Sequence, residues 1–177
     1  AGVSCELNAI VEIAKENQIH VVEDNAHGLF GKYKEKFLGT FGTFSTQSFH
    51  ETKNITCGEG GSLFVNDDKY IERAEIIFDK GTNRQNFLRK QVSKYSWVDN
   101  GSSYRLADLL AAFLYAQLEC SDKIQKKRKK IWLNYYHMLE TWAIENNVQL
   151  PYIPPHCKSS YHMFYLIMPN RESRDNL

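Results

Sequence analysis

The stretch Ile19-His20-Val21-Val22-Glu23-Asp24 decides the fold class, because a β-branched run ends there on two carboxylates directly after a helical pattern. Residues 7–14 place Leu, Ile, Val and Ala at the spacing of one helix face. A helix followed at once by a largely apolar strand is half of a βαβ unit, the arrangement that builds parallel sheets. The stretch therefore predicts an α/β fold with a mainly parallel sheet.

A second strand is predicted over 43–49. Polar residues lie at the end of each predicted strand: Asp24 to His27 at the end of the first, and Ser48 to Asn54 at the end of the second and just beyond it. In an open parallel sheet, ligands bind beyond the carboxyl ends of the strands. We therefore expect an acid, a hydroxyl and a lysine (Asp24, Ser48 and Lys53) to converge on one ligand.

These three residue types suit pyridoxal 5′-phosphate (PLP). Its aldehyde bonds to a lysine, and its pyridine nitrogen needs an acidic partner to stay protonated. Its phosphate needs hydroxyls and backbone N–H groups, which Ser48 and a glycine-rich turn supply. A small residue beside the acid, Ala26, lets the flat ring lie against the backbone. Each signal is common on its own, and together they make a PLP site one candidate among several.

Longer stretches of the chain resemble the DegT/StrS family of sugar aminotransferases. The likeness lies in Val21 to His27, Ser48 to Asn54 and Gly58 to Gly61, and it continues through 72–75, 80–84, 102–106, 111–112 and 117–118. It implies the aspartate-aminotransferase-like PLP-dependent fold (fold type I) and a homodimer with shared active sites. The likeness is greatest to the branch that moves an amino group from glutamate to the C4 keto group of a dTDP-4-keto-6-deoxy sugar. That branch serves cell-surface polysaccharides such as enterobacterial common antigen or O-antigen.

The resemblance also implies roles for single residues, by motif position. Lys53 is the cofactor-bearing catalytic lysine, and Asp24 pairs with the pyridine nitrogen. Ala26 lies beside the ring, His27 stands where the family has Gln or His near the phenolic oxygen, and Ser48 contacts the phosphate. The family's dehydratase relatives carry His in place of this lysine, so Lys53 favours amino-group transfer.

Five further residues are candidates for the rest of the site. Ser103 stands where family members often carry Asn, which reaches the phosphate of the neighbouring subunit; a serine is shorter, which puts that contact in question. The other four, Arg84, Arg89, Tyr95 and Trp97, are candidates to hold the diphosphate or the base of a nucleotide sugar, since the planar fork of arginine suits phosphate. The alternative is a loop packed at a subunit interface.

The chain is predicted to hold parts of two domains. Residues 1–145 read as the C-terminal part of the large PLP-binding domain with a connecting helix. Residues 146–177, which open with prolines at 151, 154 and 155 and contain a predicted strand at 161–168, read as the start of a truncated small domain. Because the family extends beyond both ends of this sequence, we expect an internal segment that is inactive alone.

The amino-acid composition limits the kinds of partner and the cellular compartment expected for this protein. Lys plus Arg is 22 and Asp plus Glu is 21, a formal net charge of +1, which favours neither nucleic acid nor an anionic membrane. The four cysteines are far apart and form no CxxC pair, so we expect no disulfide framework, no structural zinc and a reducing cytoplasm.

Two other functions remain open from the residues alone. One is a metal-dependent hydrolase that uses His20, Asp24, His27, His50 and Glu51, all legitimate ligand types. The spacing disfavours it, because His20 and Asp24 share one face of a strand while His27 follows a turn. The other is a non-catalytic sugar-nucleotide binding module of the same fold. Neither needs Lys53.

Overall fold

Short strands fill the first part of the chain and helices fill most of the rest. The structure, a computed structural model, describes residues 1–177. The strands are β1 (Val22–Asp24), β2 (Lys32–Tyr33), β3 (Lys36–Phe37), β4 (Phe44–Ser48), β5 (Gly61–Val65) and β6 (Cys157–Lys158). The helices are α1 (Leu7–Glu16), α2 (Ile71–Phe78), α3 (Arg84–Leu88), α4 (Asp108–Glu119), α5 (Ser121–Glu145) and α6 (Arg171–Asp175), with a 3-10 turn at Asp68–Tyr70 before α2. No helix is both long and apolar enough to span a bilayer.

The principal sheet has three strands in the order β1-β4-β5. β1 and β4 pair in parallel, with Glu23 opposite Ser45 and Asp24 opposite Thr46. β4 and β5 pair antiparallel, with Ser48 opposite Gly61. The predicted parallel pairing is therefore confirmed for β1 and β4, while the sheet within this chain is mixed. The carboxyl ends of β1 and β4 lie at the same edge.

A buried carboxylate joins β1 to the loop that follows the β2–β3 hairpin. Glu23 accepts three backbone N–H bonds, from Gly39 at 2.8 Å and from Phe41 and Gly42 at 2.7 Å each. Gly39 lies in the left-handed region at φ +87°, and a Cβ there would lie 2.8 Å from Ser45 Oγ. The loop can therefore approach the sheet closely only because residue 39 is glycine.

A second, smaller sheet ties the end of the chain to its beginning. β2 pairs antiparallel with both β3 and β6, so that Tyr33 lies opposite Cys157. Tyr33 is almost fully buried and packs with Leu7 and Leu38. Residues beyond the prolines are thus fastened to the hairpin between β1 and β4.

The connecting helix expected before residue 145 is present as α5, and α4 meets it at Cys120. One hydrophobic cluster fixes these helices to the sheet. Phe49, Ile55 and Cys57 form its buried centre, and Leu29, Phe30, Leu106, Leu110, Leu114 and Ile124 pack around it. All three centre residues come from the connection between β4 and β5 that carries Lys53, so the cluster holds that connection in place.

The region from 82 to 104 contains the short helix α3. One sequence expectation was wrong: the segment 161–168 forms no strand and makes a single bridge, between Ile167 and Gln149. Side chains of α5 bond to its backbone instead: Trp132 Nε1 donates to the Met163 carbonyl at 3.1 Å. The run of apolar residues was real, but no strand runs beside the segment in this chain.

Replacing Glu23 with glutamine should destabilise the fold. An amide keeps one acceptor oxygen but turns an N–H donor toward at least one of the three backbone donors. We expect the Glu23→Gln variant to lose about 1–3 kcal/mol of unfolding free energy, the usual cost of an unmet buried hydrogen bond. The urea midpoint measures this loss. Glu16→Gln, at an exposed position at the end of α1, is the control and should leave the midpoint unchanged. Equal midpoints for Glu23→Gln and the parent would show that the carboxylate is dispensable.

Candidate active site

Lys53 lies in the connection between β4 and β5, a loop closed at its base by backbone bonds. Phe49 N–H donates to the Gly60 carbonyl at 2.8 Å, and Glu51 N–H donates to the Gly58 carbonyl at 2.8 Å. Lys53 N–H donates to the His50 carbonyl at 2.9 Å, forming a turn. Ile55, two residues later, is fully buried. The lysine is therefore half-buried on a loop that is anchored on both sides.

A small cavity brings four of the predicted cofactor residues together. Lys53 lines it with Ser48 from the end of β4 and with Ala26 and His27 from the turn after β1. Leu29, Asn54 and His162 complete the wall. The sequence-based expectation that the two strand ends face one space is consistent with this cavity.

Asp24 lies beside this cavity rather than in its wall. It is exposed at the end of β1, and its Oδ1 accepts a bond from Ala26 N–H at 3.1 Å. A second cavity, of about 400 Å³, is lined by Asp24, Ala26 and His27 together with residues 1–5. Ala26 and His27 border both cavities, so the acid and the lysine lie on opposite sides of one short wall.

The histidines of the site are held in their neutral form. Burial, and then the positive charge of Lys53, lowers the pKa of His27, while Asp24 opposes the shift. The pKa of His162 falls further, from 6.5 to about 4, first through burial and then through the charges of His27, Lys53 and Arg128. The rings of His27 and His162 lie against each other, with centroids 4.2 Å apart.

Asn54 and His162 are the residues that sequence reasoning missed. Asn54 is buried next to Lys53, and its Oδ1 lies 2.9 Å from His162 Nδ1. Its position directly after the lysine was a signal that could have been used. His162 is 108 residues further along the chain, in a segment without regular pairing, so no spacing rule points to it.

The candidates for substrate binding lie elsewhere, in the region from 79 to 105, and none lines the Lys53 cavity. Arg84 is paired with the buried carboxylate of Asp79 at 3.5 Å, and Arg105 approaches the same carboxylate at 3.3 Å. Arg89 forms two bonds to Glu75, at 2.5 and 2.8 Å. These partners position the guanidinium groups on the surface of this chain.

The other three candidates in that region, Tyr95, Trp97 and Ser103, also have defined positions in the structure. Tyr95 and Trp97 are exposed, with ring centroids 6.1 Å apart. Ser103 is exposed and bridges to Asp79 through the backbone. Their roles toward substrate and toward the neighbouring subunit stay predictions.

The proposed ligands of a metal-dependent hydrolase are engaged in separate places. His20 lies 3.1 Å from Thr43 Oγ1 and 2.9 Å from the Tyr70 hydroxyl, on the far side of β1. His50 bonds to Thr52 within its own turn. His27 packs against His162. The geometry therefore favours the lysine-centred site over a metal centre.

Comparison with known proteins indicates a family of aminotransferases. Residues 1–177 match the DegT/DnrJ/EryC1/StrS aminotransferase family along their whole length. A protein of uncharacterised function from Methanocaldococcus jannaschii is 33% identical over 172 residues, which are 95% of this chain and 44% of that protein. GDP-perosamine synthase from Escherichia coli is 37% identical over 131 residues, which are 73% of this chain and 34% of the enzyme.

The fold also matches that of a solved aminotransferase. The crystal structure of TlmJ from Streptoalloteichus hindustanus superposes with a TM-score of 0.85 at 25% identity, over 99% of this chain and 45% of that one. The PLP-dependent fold type I architecture is thereby confirmed. This chain spans less than half the length of the relatives it matches.

The pKa of His162 predicts a pH dependence of stability. The unfolded chain binds the proton of this histidine near the ordinary value of 6.5, whereas the folded protein binds it only near pH 4. Between these values the unfolded state holds more protons, so stability falls as the pH falls from about 6.5 to about 4. Substitution of His162 by Gln should flatten that part of the stability curve, measured as urea midpoints at several pH values. His137→Gln, at an exposed position on α5, is the control. An unchanged slope in the His162 variant would contradict the assignment.

Proposed function

This chain belongs to the DegT/DnrJ/EryC1/StrS aminotransferase family, and from that premise we propose that the whole protein is an aminotransferase acting on a nucleotide-linked sugar. The observation that carries the proposal is the single cavity lined by Lys53, Ser48, His27 and Ala26, with Asp24 at its border. The similarity to GDP-perosamine synthase supports a nucleotide sugar as substrate, since that enzyme is named for a GDP-linked product.

Pyridoxal 5′-phosphate is the cofactor of this family, and the residues of the cavity fit it. Lys53 offers an amine for covalent attachment, and Ser48 offers a hydroxyl at the end of β4 for the phosphate. The small side chain of Ala26 leaves the wall between the cavities thin enough for a flat ring. Asp24 is the nearest acid for a pyridine nitrogen, because it ends the strand paired with β4. When bound, the cofactor supplies an aldehyde that takes up the amino group and a ring that withdraws electrons from the carbon losing its proton.

Each residue of the site then has a task. Lys53 Nζ would hold the cofactor covalently, and its amine would move a proton at the α-carbon of the amino donor. Asp24 would pair its charge with that of the pyridine nitrogen. His27 would lie near the phenolic oxygen, and its backbone is held because its carbonyl accepts a bond from Ser160 Oγ at 2.5 Å. His27 is also neutral, so it adds no charge that would disturb the pairing of Asp24 with the pyridine nitrogen.

We further propose the substrates, the oligomeric state and the cellular location of the whole protein. The resemblance to the dTDP-4-amino-4,6-dideoxygalactose transaminase branch implies glutamate as amino donor and the C4 keto group of a dTDP-4-keto-6-deoxy sugar as acceptor. Its product would enter cell-surface polysaccharide such as enterobacterial common antigen. Arg89, Tyr95, Trp97 and Ser103 are exposed and Arg84 is half-buried, which suits a surface shared with a second subunit. We therefore propose that the whole protein is a homodimer. We propose the cytoplasm as its location because all four cysteines are free thiols.

The proposed domain division follows the end of α5. Residues 1–145 would be the end of the large domain and 146–177 the start of the small one. The support is that α5 ends at Glu145 and that prolines follow at 151, 154 and 155. Contacts between the two parts include polar bonds, such as that from Asn54 to the Ser160 carbonyl, and aromatic packing, such as that of Trp132 on Phe164. These contacts place the start of the second part beside the turn that carries Lys53.

Lys53 should carry the cofactor covalently. Borohydride treatment of the whole protein loaded with PLP makes the bond permanent, and peptide mapping should place the pyridoxyl group on Lys53. The Lys53→Ala variant should remain unlabelled, whereas Lys80→Ala, in an exposed turn, should be labelled like the parent. A label on another lysine would sink the assignment. No label at all, with a nucleotide sugar still bound, would favour the non-catalytic binding module.

Asp24 should matter for rate more than for shape. The Asp24→Asn variant keeps an acceptor for Ala26 N–H but loses the charge that pairs with the pyridine nitrogen. Loss of a charged hydrogen bond costs about 1.5–3 kcal/mol, roughly tenfold to a hundredfold in the rate of the half-reaction with glutamate. Stopped-flow absorbance of the loaded protein measures this rate. A variant that reacts at the parental rate would reduce Asp24 to a turn-forming residue.

A further inference from the structure

Asn54 makes contacts that fix the orientation of its amide. Its Nδ2 donates to the Ser160 carbonyl at 2.7 Å and lies 3.4 Å from Gln125 Oε1. Carbonyl oxygens only accept hydrogen bonds, so both contacts require the nitrogen on that side. The oxygen Oδ1 is thereby turned toward Nδ1 of His162, 2.9 Å away. Asn54 is buried, so its amide has little freedom to turn over.

This orientation determines where His162 carries its proton. Asn54 Oδ1 can only accept, so the hydrogen of the bond must be on Nδ1 of the imidazole. A neutral imidazole carries one such hydrogen, which leaves Nε2 as an acceptor. The ring is neutral above its pKa of about 4, which burial and the nearby positive charges of His27, Lys53 and Arg128 lower from 6.5. Asn54 therefore selects one tautomer of His162.

The backbone around His162 is held just as firmly. Arg128 on α5 donates from Nε to the Tyr161 carbonyl at 3.2 Å and from Nη2 to the His162 carbonyl at 2.6 Å. Ser160 N–H donates to the Gly2 carbonyl at 2.9 Å. With backbone and ring both fixed, His162 presents a constant face to its neighbour His27, whose ring centroid is 4.2 Å away. Two neutral rings can pack in this way, whereas two imidazolium ions would repel each other.

We propose that Asn54 and His162 are positioning residues of the lysine site: Asn54 holds His162 as the Nδ1–H tautomer, and the His162 ring in turn holds His27 against the cavity that contains Lys53. The inference rests on the proposed function of Lys53 and extends it to two residues without assigned roles. The pair also links the turn that carries Lys53 to residues 159–163, so a displacement of that segment moves a wall of the cavity. Neither residue is required to touch the substrate.

The first test is spectroscopic and needs no cofactor. The whole protein, labelled with 15N-histidine and free of PLP, is examined by long-range 1H–15N correlation between pH 8 and pH 5, with the His162 signals assigned by their loss in His162→Gln. We expect a protonated Nδ1 and an unprotonated Nε2 on His162 across this range. In Asn54→Ala the signals should move toward the Nε2–H form, because Nδ1 loses its acceptor. Asn54→Asp retains an acceptor oxygen and should keep the Nδ1–H form, which gives a reading if the alanine variant does not fold.

The matched control is Asn146→Ala. Asn146 is exposed, and its amide caps the carbonyl of Trp142 at 2.8 Å at the end of α5. The Asn146→Ala variant should leave the His162 signals unchanged. A parent protein with His162 in the Nε2–H form, or an unchanged tautomer in Asn54→Ala, would overturn the inference.

The second test separates positioning from mere structural support. His162→Asn keeps a donor that can reach Asn54 Oδ1 but removes the ring that packs on His27. Small misplacements in a catalytic site cost up to about a hundredfold, so we expect the glutamate half-reaction to slow by roughly tenfold to a hundredfold while borohydride still labels Lys53. Parental rates in this variant would overturn the positioning role. Failure of the Lys53 labelling itself would reject the proposed function and this inference with it, whereas labelled Lys53 with the wrong His162 tautomer rejects this inference alone.

Discussion

The parallel pairing of β1 with β4 is the constraint on which the rest of the site depends. Side chains alternate across a strand, so a register in which Glu23 faces inward necessarily turns Asp24 outward. The buried carboxylate of Glu23 fixes that register, because its three bonds to the loop at 39–42 form only when the residue faces the interior. A shift by one residue would bury Asp24 and expose Glu23. The position of Asp24 is thus determined by Glu23, the preceding residue, which has no proposed contact with a ligand.

The same pairing explains how much of the site could be predicted from sequence. Strand ends are visible as apolar runs that stop on polar residues, and parallel strands bring their ends to one edge. Those two rules were sufficient to predict that Ser48 and Lys53 would lie near His27, and they share a cavity. The rules were too coarse for Asp24, which borders the adjoining cavity because Ala26 and His27 stand between it and the lysine. Sequence patterns give the edge of the sheet but not the path of the turn that follows each strand.

The segment around His162 shows the other limit of sequence reasoning. Its run of apolar residues predicted a strand, yet its backbone is bonded by Arg128 and Trp132 of α5 and by Asn54. Bonds from side chains to backbone carbonyls have no periodicity, so no pattern in the sequence reveals them. They are also contacts across about 30 to 100 residues of chain, which local rules do not address. What places the segment is therefore a small number of polar side chains, and these place His162.

The charge distribution around Lys53 follows from these placements. The cavity wall contains one amine and no carboxylate, because Asp24 lies behind Ala26 and His27. Arg128, whose own pKa is lowered by burial, adds a second positive group behind His162. A third or fourth positive charge would be costly in a partly buried space, and the lowered pKa values of His27 and His162 show how the fold avoids it. The two imidazoles therefore serve as polar but uncharged walls, which leaves Lys53 as the one amine in the cavity. That arrangement suits a lysine that must bond covalently to a cofactor, because no charged side chain in the wall competes for its amine.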